Sequence, residues 1–557
     1  MLKRKIMQQL IDWKASSKKA MLVTGARQVG KSYAIREFAK REYQSYIEIN
    51  LYDDKAAAKA LLTASDVDEF LSRLSLFTRD AMIPGDTLVF IDEVQEAPDI
   101  MTMVKFLVQD GRFDYVFSGS MLGTEFKGVR SYPVGYVTER TMRPMDFEEF
   151  CWAIGVREET LESIRQCCKN KQPVDEAVHE AMMRNFRTYL VVGGMPDAVD
   201  AFLESGGDLM AVRRVQSDLN RQYRHDISQY AGARSLQVRE VFEQIPIQLT
   251  DGNGRFSVTA IGENARYSRN QKDFVWLVDA GVALKTDCVA EPKTPLKRTA
   301  QSPKFKLYQS DTGMLMARYP VSTAQAAYLD DGNPNLGAIY ENMVAQELAA
   351  QRIPLYYYMS KKKGEVDFIA DTQDDSVMPV EVKSGRSYMV HAAIDALLAN
   401  PEYRLKEGVV VSRSNVSCRG NVLNLPLYSL WCLADVLDLL PRMMSLNDRS
   451  PCRYRPCEAA FFIDIHMSWY CLPMLERSKE ADKSWPLGRA GLELSCMAEN
   501  RSSCSCLRST RRRRSSSTTA TRMLRMLVLT YGFLFSGAMA VRRSMDGACS
   551  VLRFGGQ

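Results

Sequence analysis

Near the N-terminus, Gly25-Ala26-Arg27-Gln28-Val29-Gly30-Lys31-Ser32 has the spacing G-x-x-x-x-G-K-[ST]. Glycines so placed let backbone N–H groups converge on phosphate oxygens, and a helix opening at their end adds partial positive charge. On this pattern Gly25, Ala26, Arg27, Gln28, Val29, Gly30, Lys31 and Ser32 are expected to bind ATP. Lys31 would reach the β- and γ-phosphates, and the Ser32 hydroxyl would ligate Mg2+. Farther on, the apolar run Leu88-Val89-Phe90-Ile91 ends in Asp92 and Glu93. Asp92 is expected to hold the Mg2+, directly or through water, and Glu93 to polarise the attacking water as a general base. In Val116-Phe117-Ser118-Gly119-Ser120 a polar residue at a strand end can sense the γ-phosphate, Ser120 in preference to Ser118. Arg130, Arg140 and Arg143 lie where an arginine finger would come from, but each fits a surface salt bridge better. Without such a finger, hydrolysis is expected to be slow.

A second constellation lies far downstream. Glu365-Val366-Asp367-Phe368-Ile369 is followed, across a turn-rich stretch, by Pro379-Val380-Glu381-Val382-Lys383. In a hairpin Glu381 and Lys383 share one face, and Asp367 can lie opposite them. Two carboxylates and a lysine on one face suit Mg2+-dependent phosphodiester cleavage. The acids would hold the metal and Lys383 would orient or deprotonate water, with Glu341 on the preceding helix as a further acid. Cross-strand charge pairs on a solvated hairpin fit the same spacing.

Elements must position these groups. Met21–Thr24, Tyr46–Asn50, Leu88–Ile91 and Tyr115–Phe117 read as strands, alternating with helices at Ser32–Glu42, Asp66–Phe77 and Met101–Asp110. Such alternation implies a parallel sheet covered by helices. Residues 157–235 read as mostly helical. Residues 238–312 suggest a winged helix, with a helix from Asn270 to Ala280 carrying Phe274, Leu277 and Val278 on one face. From Gly337 a new unit begins with a helix to Ala350, followed by strand-like runs at Leu355–Tyr358, Glu365–Ala370, Val377–Lys383 and Gly408–Val411.

Composition limits the function classes. Length suggests three or four domains at ~150 residues each. The net charge of +6 misleads: residues 501–557 hold eleven Arg, no Lys and one acid, so the first 500 carry 62 basic against 66 acidic groups. Overall charge is therefore no argument for nucleic-acid binding. The thirteen cysteines and four histidines have no paired metal-ligand spacing, and the thiols are read as reduced. The opening residues lack a signal-peptide pattern, which favours the cytoplasm. The tail, 441–557, is Cys-Ser-rich and Arg-rich without sustained period, and reads as disordered or as a read-through end. Its apolar run Met526 to Val541 is 16 residues long, short of the ~20 of a spanning helix, so membrane attachment is not expected.

The order of motifs resembles the prokaryotic AAA-type ATPases that join an N-terminal ATPase domain to a C-terminal domain of unknown function. Beyond Gly25 to Ser32 the likeness rests on Ile91 to Gln95, Ser118 to Ser120, Pro144 to Phe150, Tyr189 to Pro196, Trp276 to Gly281, Lys306 to Gly313, Tyr340 to Asn342 and Val380 to Gly385. It spans about residues 1–440. The resemblance implies an α/β chain made of a P-loop AAA-like ATPase domain (1–155), a helical domain (156–236), a winged-helix-like connector (237–334) and a restriction-endonuclease-like domain (335–440), then the tail (441–557). In the last fold Asp367, Glu381 and Lys383 match the nuclease pattern, with Glu341 as the helix acid. Many relatives have a basic residue after the glycine of Pro133-Val134-Gly135-Tyr136, and Tyr136 departs from them. The expected function is an ATPase whose nucleotide state controls a DNA-engaging C-terminal half, with Mg2+-dependent DNA cleavage as its enzymatic extension. The alternative is a signalling or defence switch acting on a protein partner, with a catalytically silent nuclease-like fold. Assembly into a homo-oligomer is common in such ATPases.

Overall fold

The computed structural model describes residues 2–120, 132–251, 254–262, 265–330, 336–362, 364–383 and 392–439. Arg130, Ser384-Gly385, the expected tail and its apolar run lie outside the described residues. Among those described, β1 (Ala20–Thr24), β2 (Ser45–Asn50), β3 (Thr87–Asp92), β4 (Asp114–Gly119) and β5 (Val137–Thr141) form one sheet in the order β2-β3-β4-β1-β5, every pair parallel. Every residue of β1 and β3 is buried, as a parallel sheet covered on both faces requires. On one face pack α1 (Lys5–Ser16) and α2 (Lys31–Glu42), where Trp13 meets Phe38. The other face takes α3 (Lys55–Leu62), α4 (Val67–Leu74) and α5 (Val104–Asp110). The expected strands are present within a residue or two, whereas α1, α3 and β5 were not anticipated.

Ten helices follow before the second group of strands is complete: α6 (Phe147–Ala153), α7 (Glu158–Lys169), α8 (Glu176–Val192), α9 (Pro196–Glu204), α10 (Leu209–Tyr230), α11 (Ser235–Thr250), α12 (Tyr267–Asp279), α13 (Thr312–Met316), α14 (Val321–Leu329) and α15 (Gly337–Ala350). Asp146 and Glu149 make a capping box that starts α6. The rings of Phe147 and Phe150 lie tilted against Tyr189 at 5.5 and 5.1 Å, and Phe186 reaches Tyr340 of α15 at 6.1 Å.

The helices α11 and α12 followed by an antiparallel pair, β6 (Ala283–Val289) and β7 (Ala300–Gln309), have the order expected of the connector. The pair does not stand alone. β6 also pairs in parallel with β8 (Tyr356–Ser360), and the sheet continues through β9 (Gly364–Asp371), β10 (Val377–Val382), β11 (Gly408–Ser412), β12 (Ser417–Arg419) and β13 (Val422–Pro426). The eight strands run β12-β13-β11-β10-β9-β8-β6-β7. The boundary expected between residues 334 and 335 therefore interrupts neither this sheet nor the hydrophobic core, which is continuous from Ile6 to Leu439. Satisfying the edge of β6 with β8 joins the two segments through backbone hydrogen bonds.

Candidate functional site

The loop from Gly25 to Ser32 links β1 to α2, with Gly30 at the N-cap in the left-handed region at φ 90. Gln28 at φ 61 takes the same hand. Such alternation curls consecutive N–H groups into a concave anion cradle, and the open N-terminus of α2 adds its own. A side chain at Gly25 would bring its Cβ within 2.1 Å of the Met142 carbonyl oxygen, so only glycine fits that approach.

Lys31 is 6 % exposed, and its ammonium donates to the carbonyls of Gly25 and Ala26 at 2.9 and 2.8 Å. Burial pushes it down to about 8, against the pull of Glu93 and Asp92. A buried cation held only by neutral carbonyls is poised to take an anion. The Ser32 hydroxyl donates to Asp92 Oδ2 at 2.7 Å. These two hard oxygen donors fit Mg2+, which completes its shell with water and phosphate.

Glu93 follows β3 at φ 54, in the left-handed region. Gln95 donates to its Oε2 and lies 3.4 Å from Ser120 Oγ, which in turn is 3.4 Å from Glu93 Oε2. Ser118, the less favoured of the two serines, donates to Asp92 Oδ1. The pair thus divides: Ser118 braces one acid and Ser120 faces the other. The helper Gln95 was missed as a functional residue, although it stands two positions after Glu93.

Other elements press on the same loop. Arg4, just ahead of α1, donates to the Val29 carbonyl at 2.7 Å, to that of Arg143 at 2.7 Å and to Glu149 at 3.1 Å. A Cβ on Gly281, after α12, would lie 3.0 Å from the Ala26 nitrogen. Beside the loop, a cavity of about 580 Å³ is lined by Leu2, Met7, Tyr33, Ala34, Arg41 and Trp152. Of the expected finger candidates, Arg140 is buried on β5 and donates to the Glu139 carbonyl at 3.1 Å.

The second constellation is gathered by β9, β10 and α15. Asp367 Oδ2 accepts from the Val382 nitrogen at 2.8 Å, and Lys383 pairs with Glu381. Glu381 is 8 % exposed and its Oε2 has no hydrogen-bond partner. Glu341 Oε2 is taken by Lys306 at 2.9 Å and Tyr308 at 3.0 Å, and Lys306 also reaches Glu365 at 2.9 Å. Lys306 is 1 % exposed; burial lowers its affinity for the proton, but Glu341, Asp367 and Glu365 more than offset this. Asp367 is pushed up to about 7, first by burial and then by Glu341. The three expected metal ligands share a neighbourhood, yet among the described residues no three Asp, Glu, His or Cys side chains are placed to hold a metal ion. A lysine ammonium stands among the acids instead, so the residues present do not fit a bound Mg2+ there. The signal that could have found it was Lys306 itself, in a strand two residues before Tyr308.

Comparison with known proteins bears on the N-terminal domain. Residues 17–151 match the family model of an AAA domain, so the chain carries an AAA-type ATPase-like domain. Residues 183–325 and 336–430 match two domains of unknown function, DUF8612 and DUF4143. No curated protein matches the chain. Among solved structures, it is similar to the Walker-type ATPase PABY2304 of Pyrococcus abyssi at 15% identity, covering 57% of this chain and 96% of that one with a TM-score of 0.36. It is also similar to the ORC1 protein of Aeropyrum pernix in complex with DNA, at 14% identity, 59% and 93% coverage and a TM-score of 0.27. The described residues include no helix long and apolar enough to cross a membrane.

Proposed function

We propose that this chain binds Mg2+–ATP at Gly25–Ser32, hydrolyses it, and uses the nucleotide state to move a DNA-engaging C-terminal half. The observation that carries the ATP reading is Lys31, a buried ammonium in a concave cradle with Ser32, Asp92 and Glu93 converging beside it. In this reading Lys31 bridges the outer phosphates, Ser32 and Asp92 hold Mg2+, and Glu93 accepts the proton of the attacking water. Ser120 and Gln95 fix the Glu93 carboxylate.

The link to DNA runs through α12. Its C-terminal end meets the phosphate loop at Gly281, while Arg266, Arg269 and Lys272 are exposed at its other end. A helix whose C-terminal end meets the phosphate loop and which carries exposed cations at the other is suited to phosphate contacts. Cleavage is not part of this reading, because Lys306 is paired with Glu341, one of the acids that would hold the metal. That same observation favours, as a second reading, a switch acting on a protein partner.

Linear, single-stranded and branched DNA added to the full chain with ATP and Mg2+ tests the proposal. DNA should stimulate phosphate release and remain uncut. Arg269→Glu with Lys272→Glu should abolish the stimulation and leave the basal rate intact. Absence of stimulation by every DNA would favour the protein switch. Cutting that disappears in Glu381→Ala would restore the nuclease.

A further inference from the structure

Phosphoryl transfer needs a cation for the charge spread over the transferring group, commonly an arginine brought in cis or in trans. Arg27 is built into the phosphate loop itself. The Lys31 ammonium rests 2.8 Å from the carbonyl of Ala26, the residue before it. The Arg27 guanidinium is turned toward α10, where it pairs with Asp226 and donates to the Tyr230 hydroxyl at 2.8 Å. Its carbon stands 4.7 Å from the centre of the Tyr230 ring. Tyr223 of the same helix donates to the Arg27 carbonyl at 3.3 Å. One helix thus grips both the backbone and the side chain of a residue in the middle of the loop.

We propose that Arg27 is the arginine of this ATPase, and that Asp226 and Tyr230 latch it off the phosphate until nucleotide binds. This rests on the ATP reading above. The guanidinium already shares a charge group with the other parts: Glu93 favours its charge, and it disfavours that of Lys31. The latch consists of one ion pair and one hydrogen bond, both partly exposed to solvent. Burial raises the Asp226 carboxyl although Arg27 opposes it, while Asp226 in turn favours the Arg27 charge. A triphosphate offers the guanidinium a denser, bidentate acceptor.

In the step itself, the water oxygen bonds to the γ-phosphorus and its proton goes to Glu93. The bond to the β–γ bridging oxygen breaks, and ADP leaves with the electron pair. Arg27 donates N–H groups to the γ-oxygens and forms no covalent bond. Releasing Arg27 also frees one end of α10. Farther along that helix Asn220 holds the Met314 carbonyl at 3.0 Å and Gln309 of β7 at 3.3 Å.

Steady-state kinetics of the full chain with Mg2+–ATP test this. Arg27→Ala should lower kcat about 100-fold with KM within about threefold. It should lose binding of ADP–aluminium fluoride, a transition-state mimic, while keeping ATP. Arg27→Lys should recover part of the rate, and it carries the test should the alanine variant fail to fold. Asp226→Asn should raise kcat by freeing the guanidinium. A kcat for Arg27→Ala within about twofold of wild type, or a fall in kcat for Asp226→Asn matching that of Arg27→Ala, overturns the proposal and leaves a structural clamp. Wild-type turnover with Arg27→Ala unchanged defeats only this inference, whereas no turnover by any form defeats the ATP reading with it.

Discussion

Lys31→Ala should lower ATP affinity roughly 10³-fold, the ~3–5 kcal/mol lost when one partner of a buried charge pair is removed. The size follows from the position. Lys31 is 6 % exposed and its present partners are two backbone carbonyls. With alanine there, the outer phosphates enter a desolvated cradle without a full cation. Lys31→Arg should not rescue fully, because the site between Gly25 and Ala26 is shaped for a compact ammonium. Isothermal titration of the full chain with ATP and Mg2+ checks both variants. Affinity retained by Lys31→Ala would mean that nucleotide binds elsewhere.

Glu93→Gln should separate binding from chemistry. The amide keeps the shape and the contact with Ser120 but cannot accept the proton of water. The expected fall in kcat is about 10³-fold, within the span of general-base losses, with ATP affinity near wild type. Gln95 would then face an amide in place of the carboxylate it now donates to. Retained ATP after gel filtration, with little ADP formed, is the result to look for. A Glu93→Gln enzyme that still turns over at the wild-type rate would take the general base away from Glu93.

The phosphate loop was legible because its chemistry is local. Gly25 to Ser32 is one contiguous stretch, the strand ahead of it is an apolar run, and the helix after it is amphipathic. Asp92 and Glu93 announce themselves in the same way, at the end of a run that is apolar on both faces of a buried strand. What surrounds the loop is another matter. Arg4 reaches Val29 across 25 residues, Asp226 reaches Arg27 across 199, and neither contact leaves a periodic trace. Arg130, Arg140 and Arg143 were weighed as a finger for their place in the chain, whereas Arg27 was read only as part of the phosphate loop.

The second constellation was legible only in part, for a related reason. The hairpin register was legible from alternation, and the antiparallel pairing of β9 with β10 follows it. The cation was not. Lys306 comes from β7, four strands away from β10 in the sheet order, and meets Glu341 only because α15 packs across both segments. Likewise the pairing of β6 with β8, across the expected boundary, left no local trace; it forms because an open edge of buried backbone must find donors and acceptors.

The most direct test of the account is phosphate release by the full chain with ATP, measured with Mg2+ and with the metal chelated, beside the Glu93→Gln variant. Slow turnover that needs Mg2+ and disappears in Glu93→Gln is the predicted result. Release that is no faster than buffer, or that proceeds equally in wild type and Glu93→Gln, would contradict an ATPase centred on this loop.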